Sequence, residues 1–150
     1  MNSTNSTNSI NSNDNQLCYV CGKENPVGLA VDYHIDRANR SISAVFTPKE
    51  HHQGYEGIVH GGILSALLDE AMAKLAFSLL GIPVVTAELT IKFRSPATPG
   101  TELSVYGKIT EESNRLILAE AKIERGLIVI AEATGKLLKM RTEDSPGSTQ

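Results

Sequence analysis

The sequence has no basic excess and no cluster of lysines or arginines. Its 14 Lys and Arg against 17 Asp and Glu give a formal net charge of −3, with a pI of about 5.8. Proteins that bind nucleic acid through its phosphates carry basic surfaces. The composition therefore argues against a nucleic-acid partner.

The sequence also lacks an uninterrupted apolar run long enough to cross a membrane. Its most apolar stretch, from Ile63 to Leu80, contains Asp69, Glu70 and Lys74, whereas a spanning helix needs about 20 predominantly apolar residues. The N-terminus has neither a basic region nor an apolar segment, so we expect no signal peptide. We predict a soluble, cytoplasmic protein with no membrane partner.

Cysteine is scarce, with only Cys18 and Cys21 in the 150 residues. A tetrahedral zinc site needs four ligands and the chain has no second cysteine pair, so only a site shared between two copies would complete it. A redox role of the thioredoxin type would need a βα context that this segment does not have. We therefore predict no metal site.

Apolar residues are rare at both ends of the chain. Residues 1–16 are almost all Asn, Ser and Thr, and residues 142–150 are also polar. Such segments have too little apolar surface to fold, so we predict disordered tails there and one domain over residues 17–141. With 41% hydrophobic residues in the chain, this domain can form a sizeable core.

The most informative stretch of the domain runs from Gly57 to Met72. His60-Gly61-Gly62 precedes residues that are apolar around most of a helical circumference, which predicts a core helix from about residue 61 to 80. The start of a helix presents unpaired backbone N–H groups and the positive end of the helix dipole. It is therefore suited to bind a developing negative charge.

Asp69 is the unusual residue of this helix. Glu70 and Lys74 form a predicted surface pair in the favourable acid-first order, whereas Asp69 has no local partner. A carboxylate among apolar residues must be neutralised, paired or used chemically; the alternative is a solvated Asp69 on an exposed stripe. An oxyanion site and a general base or nucleophile are the parts of a hydrolase that acts on a carbonyl.

Helix geometry separates these two parts. Asp69 lies eight residues after Gly61, roughly 12 Å along the axis at about 1.5 Å per residue. Groups this far apart on one helix cannot easily meet the same carbonyl, and the sequence predicts only one long helix. We therefore expect the second group to come from another copy of the chain, at a subunit interface.

Alternating apolar residues and turn residues predict six strands around this helix. They run over 27–35 and 41–47 before it and over 84–94, 101–112, 114–125 and 127–140 after it. Small residues on one face of the last strand, from Leu127 to Gly135, suit a sheet that curls closely around a helix. The pattern predicts an α+β fold whose edge strands favour pairing with a second copy.

Three parts of the sequence carry a family resemblance. They are Gly57–Gly62 with Leu67–Glu70, Cys18–Gly22 with Asn25–Leu29, and Thr86–Pro96. Together they resemble the PaaI-like hotdog thioesterases of the 4-hydroxybenzoyl-CoA thioesterase superfamily over roughly Leu17 to Met140. The resemblance implies a hotdog fold, hydrolysis of an acyl-CoA thioester to free acid and CoA without a metal or cofactor, and a homodimer or dimer of dimers.

The same resemblance implies roles for the residues at the start of the helix and within it. The family's catalytic acid lies nine residues after the His, which corresponds to Asp69. The N–H of Gly61, helped by Gly62, would polarise the thioester carbonyl of a substrate held against the opposite subunit. His60 is either catalytic or holds the Gly61 loop in place, and Asp69 either activates water or attacks directly.

At two further positions this sequence does not match the family pattern directly. Many relatives carry Asn or Gln six positions before the His, where this chain has Gly54, so Gln53 or His52 would replace it only through a shifted loop. Thr86 matches a hydroxyl residue that assists the acid in some members. Simple alternation puts Thr86 on the polar face of its strand, so it needs a strand end or a β-bulge to reach Asp69.

The remaining predicted substrate-binding residues are Lys92, Arg94 and Ser95. The two cations either bind CoA phosphates or are solvated strand charges, and His51 and His52 are predicted to be solvated. A rival function is a hotdog module that binds acyl-CoA without cleaving it, and a third is a hydratase on the same fold. With only 5% aromatic residues, the sequence makes no strong case for an aryl over an aliphatic acyl group.

Overall fold

In the computed structural model, which describes residues 15–140, one long helix packs against an antiparallel sheet of six strands. The helix α1 is Gly61–Leu80. The strands are β1 (His34–Asp36), β2 (Ser41–Phe46), β3 (Val84–Phe93), β4 (Leu103–Glu112), β5 (Leu116–Arg125) and β6 (Ile128–Lys139), and a 3₁₀ helix spans Glu50–His52. The strand order is β1-β2-β4-β5-β6-β3. This architecture confirms the predicted α+β class and the hotdog fold. The predicted tails, except residues 15 and 16, lie outside the described residues.

The predicted bounds of α1 are confirmed by its two caps. At its start the His60 side chain accepts a hydrogen bond from the Gly62 N–H at 2.7 Å. At its end Gly81 adopts a φ of 72°, a left-handed conformation that glycine takes without steric cost, and its N–H donates to the Phe77 carbonyl at 2.8 Å. Within residues 15–140 no helix has the length and apolarity that crossing a membrane requires.

The sheet backbone lies unusually close to α1. A Cβ on Gly135 of β6 would lie 3.0 Å from Met72 Sδ, and one on Gly107 of β4 would lie 3.5 Å from Ala71 Cβ. The expected small face of the last strand is confirmed from residue 131 to 135, where the inward side chains are buried. The inclusion of Leu127 was wrong: it lies in the turn before β6 and is 99% exposed.

The first predicted strand is shorter than expected. Of the predicted residues 27–35 only the last two belong to β1, because the preceding backbone pairs with the N-terminal turn instead of the sheet. The N–H groups of Leu29 and Val31 donate to the carbonyls of Tyr19 and Val20 at 2.7 and 2.8 Å. Leu29 and Val31 are buried, but the predicted pairing of this segment as a sheet strand was wrong before residue 34.

Strand β3 contains the feature that positions the site. Its pairing with β6 shifts register between Thr86 and Glu88, so that Thr86 lies opposite Leu137 and Leu89 lies opposite Gly135. Paired residues of an antiparallel sheet project to the same face, and Leu137 is fully buried against α1. The β-bulge therefore turns Thr86 toward the helix, as the sequence required for it to reach Asp69.

Strand β3 is also an edge strand. In the part of the chain that the structure describes, it is hydrogen-bonded to β6 alone. Its side chains Val85 and Phe93 are 46% and 54% exposed. A ten-residue edge with exposed apolar side chains is a surface suited to pair with another strand.

Candidate active site

Asp69 is half-buried in the third turn of α1 and is held by the edge strand. The Thr86 hydroxyl donates a hydrogen bond to Asp69 Oδ1 at 2.6 Å, a length typical of a charge-assisted O–H···O⁻ bond. Among residues 15–140 no donor reaches the other carboxylate oxygen, Oδ2. One oxygen therefore fixes the orientation of the carboxylate while the other is available to a substrate or a water molecule.

The start of α1 leaves one backbone donor unused. The Ile63 N–H donates to the His60 carbonyl at 2.9 Å and the Gly62 N–H donates to His60 Nδ1 at 2.7 Å. Within the described residues the Gly61 N–H has no acceptor. The amide of Gly61 is thus free to bind an oxygen at the positive end of the helix dipole, whereas the amide of Gly62 is occupied.

His60 has a clear structural contact. Because its Nδ1 accepts the hydrogen bond from the Gly62 N–H, that nitrogen carries no proton and the neutral ring bears its proton on Nε2. A Cβ at Gly54 would lie 3.3 Å from the Cδ2 atom of the same ring. The imidazole therefore occupies the space into which a longer side chain at position 54 would extend.

The two candidates to replace that side chain are engaged in their own loop. Gln53 Nε2 donates to the Glu50 carbonyl at 2.7 Å, and Gln53 Oε1 accepts from the Gly57 N–H. His52 Nδ1 accepts from the Lys49 N–H at 2.9 Å. The prediction that His52 is solvated was wrong: its side chain is 6% exposed because its ring packs against Phe46.

A cleft of about 350 Å³ opens beside the start of α1. It is lined by Tyr19, His51, His52, Gln53, His60, Gly62 and Ile63. Neither Asp69 nor Thr86 lines this cleft. The structure of one chain therefore keeps the acid and the helix start apart, as the helix spacing predicts.

One strand, β3, nevertheless contacts both the acid and the start of the helix. Near its beginning β3 contacts Asp69 through Thr86, and at its end the Phe93 ring lies against the start of α1. A Cβ on Gly61 would be 3.5 Å from two carbons of that ring. Phe93 was not among the predicted site residues, because its contact with the helix start arises only in the folded chain.

The predicted substrate-binding residues at the end of β3 lie elsewhere. Lys92 lines a groove of about 960 Å³ on the sheet face turned away from α1, together with Glu132. Arg94 Nη2 is paired with Glu132 Oε2 at 2.6 Å, and the Ser95 N–H donates to the Ile130 carbonyl at 3.2 Å. Within one chain these three residues are not brought to the cleft or to Asp69.

A second polar cluster surrounds Glu70, which the sequence had placed in a surface pair with Lys74. Glu70 is half-buried, and the Cys21 thiol donates to its Oε2 at 3.0 Å. Burial raises the pKa of Glu70, against the opposing effects of hydrogen bonds from Cys21 and Cys18 and the charge of Lys74. Burial likewise raises the pKa of the Cys21 thiol. The sequence did not reveal this cluster because 49 residues separate Cys21 from Glu70.

Over residues 15–140 the geometry defines a class of protein: a hotdog domain whose long helix carries Asp69, bound by the edge strand, and has an unpaired amide at its start. Comparison with known proteins agrees: the family model described as "Thioesterase superfamily" matches residues 56–128. The Pseudomonas aeruginosa protein PA0474 is 31% identical over 100 residues, which cover 65% of this chain and 75% of that protein. The chain belongs to the thioesterase superfamily.

Other similarities are more distant. Acyl-coenzyme A thioesterase THEM4 of Xenopus laevis is 25% identical over 116 residues, which cover 76% of this chain and 52% of that protein. The chain thus spans about half the length of this relative, and 41% of a mitochondrial protein of Candida albicans. The E. coli PaaI structure superposes with a TM-score of 0.69 at 22% identity, over 75% of this chain and 81% of that one, and shares the fold.

The buried histidine of the cleft is expected to make the stability of the protein depend on pH. Burial, followed by the charges of His51 and Lys49, lowers the pKa of His52 from its usual 6.5. Below about pH 6.5 the unfolded chain therefore binds a proton that the folded chain does not, so His52 makes the free energy of unfolding decrease as the pH falls through this range. We expect His52→Asn, whose Oδ1 can accept the Lys49 hydrogen bond, to reduce this decrease.

Urea unfolding of the wild type and variants between about pH 7 and pH 5 measures the effect. The matched control is His51→Asn, which removes the neighbouring exposed histidine and should leave most of the decrease in place. Equal pH dependence in the wild type and His52→Asn would contradict the assignment.

Proposed function

We propose that the protein is an acyl-CoA thioesterase that hydrolyses an acyl-CoA thioester to a carboxylic acid and CoA. The observation that carries the proposal is the pair of unused groups described above: Asp69 Oδ2 and the Gly61 N–H. Membership of the thioesterase superfamily and the similarity to an acyl-coenzyme A thioesterase support the same substrate class.

The edge strand supports a site shared between two subunits. If two β3 strands pair antiparallel about their midpoints, the Thr86 end of one strand lies beside the Phe93 end of the other, at a strand spacing of about 4.8 Å. Asp69 lies under the first end and Gly61 under the second. The pairing brings Asp69 of one subunit toward the partner subunit's Gly61, and the dimer contains two such sites by symmetry.

The chemistry follows from the roles of these groups. Asp69 either removes a proton from a water molecule as it attacks the acyl carbon, or attacks that carbon itself to give an anhydride that water then hydrolyses. In both routes the carbonyl oxygen becomes negatively charged and is stabilised by the Gly61 N–H and the helix dipole. The C–S bond breaks, CoA leaves as the thiolate, and the acyl group leaves as the free acid.

Thr86 acts as a positioning residue in this mechanism. Its hydrogen bond occupies Asp69 Oδ1, so the carboxylate cannot rotate freely and Oδ2 faces the substrate. Gln53 and His52 already have partners in their own loop. The proposal therefore assigns the orientation of the acid to Thr86 and leaves no catalytic role to the polar residues near Gly54.

The first test is the loss of the acid. We expect Asp69→Asn to fold normally, because the amide has the volume of the carboxylate, and to hydrolyse acyl-CoA about 10²–10⁴-fold more slowly, the usual contribution of a general base. CoA release from a panel of acyl-CoA esters measures the rate. The control is Asp32→Asn, which changes an exposed aspartate in a surface ion pair with Lys23. Tight binding of acyl-CoA without turnover by the wild type would instead indicate a binding module.

The second test removes only the backbone donor. Gly61 is the first residue of α1, a position that proline favours, and His60 has the extended ψ of 134° that proline requires of the residue before it. Gly61→Pro should therefore keep the helix and delete one N–H group. We expect kcat to fall about 10²–10³-fold, the usual cost of losing an oxyanion donor.

Gly61→Ala is the matched control, because it retains the N–H and its Cβ would be in ordinary contact with Phe93, at 3.5 Å. It should keep most of the activity. If proline and alanine reduce kcat equally, the amide is not the oxyanion donor.

A further inference from the structure

The N-terminal turn and the centre of α1 bring three metal-binding side chains together. The ligand atoms of Cys18, Cys21 and Glu70 all lie within 4.8 Å of one another. We propose that these residues bind one Zn²⁺ ion, with water as the fourth ligand, and that the ion ties the N-terminal segment to α1. The sequence argued against a metal because it offered only two cysteines; the fold supplies the third ligand.

The dimensions of the cluster fit a tetrahedral zinc site. With Zn–S bonds of about 2.3 Å and Zn–O bonds of about 2.1 Å, neighbouring ligand atoms in such a site are about 3.5–3.8 Å apart. The Cys21 thiol and the Glu70 carboxylate are 3.0 Å apart, so these two need to separate only slightly. Three protein ligands with water in the fourth position is the arrangement that zinc adopts in catalytic sites, one of which has two cysteines and a histidine as its ligands.

The turn between the two cysteines is built to hold both sulfurs on one side. The Cys21 N–H points to Cys18 Sγ at 3.5 Å, and the Gly22 N–H donates to the Cys18 carbonyl at 2.9 Å. A Cβ at Gly22 would lie 2.4 Å from the Gln16 carbonyl oxygen. The backbone is therefore closed tightly around this turn, and a glycine is needed after the second cysteine.

The charges of the cluster balance with the ion in place. Zinc binds thiolates, so each thiol releases its proton on binding. Two thiolates and the Glu70 carboxylate carry three negative charges, which Zn²⁺ and Lys74 neutralise. Lys74 Nζ lies 3.7 Å from Cys21 Sγ, where it can donate to the thiolate as an outer-shell partner of the metal ligand.

The position of the ion gives it a structural role. The segment that it would hold contributes Val20, Leu29 and Val31 to the core and Tyr19 to the cleft beside the start of α1. Glu70 is the residue after Asp69. Zinc would thus fix the N-terminal segment against the part of the helix that carries the acid.

The experiment uses the full chain, freed of metal with a chelator and titrated with Zn²⁺ alone. Because Cys18 and Cys21 are the only cysteines in the sequence, a thiol reagent reports on this site and no other. We expect one zinc per chain, protection of both thiols, release of about two protons per zinc near neutral pH, and a higher Tm. Co²⁺ in place of zinc should show the charge-transfer absorption of thiolate ligands.

Two variants test which residues bind the ion. Cys18→Ser and Glu70→Gln should each weaken binding at least about 100-fold, because losing even an outer-shell partner costs about 10–100-fold. The matched control Glu111→Gln, at an exposed carboxylate of β4, should bind zinc as the wild type does. The Tm of each variant without zinc shows whether that variant folds. If Glu70→Gln does not fold, Cys18→Ser still tests the site.

Three results would overturn the proposal. The first is full reactivity of both thiols at saturating zinc. The second is zinc binding that is unchanged in Cys18→Ser and Glu70→Gln but is lost in His51→Gln, which would place the ion at the two consecutive histidines of the 3₁₀ helix. The third is a metal-free protein whose two cysteines form a disulfide and which binds no zinc after reduction.

Discussion

The hydrogen bond from Thr86 to Asp69 is the interaction on which the rest of the site depends. It joins Asp69, which has no hydrogen-bond partner on α1 among residues 15–140, to the edge strand of the sheet. It exists only because β3 carries a bulge between Thr86 and Glu88, which turns the hydroxyl inward while Leu89 and Ile91 still face the core. The carboxylate is thereby held beside the edge of the sheet.

The rigidity of an α-helix imposes the second constraint. Asp69 and Gly61 belong to the same rigid helix. No rotation of the Asp69 side chain brings its carboxylate and the Gly61 N–H to the same substrate carbonyl. The structure instead places each under a different end of β3, whose outer edge carries exposed apolar residues. A two-fold pairing of that edge is the simplest arrangement in which both groups meet one carbonyl, and it would make association a requirement for activity.

The sequence predicted the parts of this fold that local chemistry determines. The apolar residues that follow His60 gave the bounds of α1, and Asp69 stood out as the charged residue of the helix without a local partner. Alternation located the last five strands to within a few residues, because each buries one face. It also showed that Thr86 needed either a strand end or a bulge to reach Asp69, although a bulge itself is set by pairing with Leu137 and cannot be found from one strand.

The sequence failed where partners are distant along the chain. Burial of His52 depends on Phe46, and the residues before β1 pair with the N-terminal turn, not the sheet. The contact of Glu70 with Cys21 joins two segments that no local pattern connects. Sheet register also determines which charged strand residues face away from α1. Lys92 and Arg94, which lie beside Glu132, are examples.

The most direct measurement of the central claim is complementation between two inactive subunits. Asp69→Asn and Gly61→Pro chains carrying different affinity tags are produced together and their heterodimer is isolated. If each site takes its acid from one subunit and its amide from the other, one of the two sites is intact, and the heterodimer should recover about half of the wild-type activity. A heterodimer as inactive as its parents would show that both groups act within one chain, or that they do not act together.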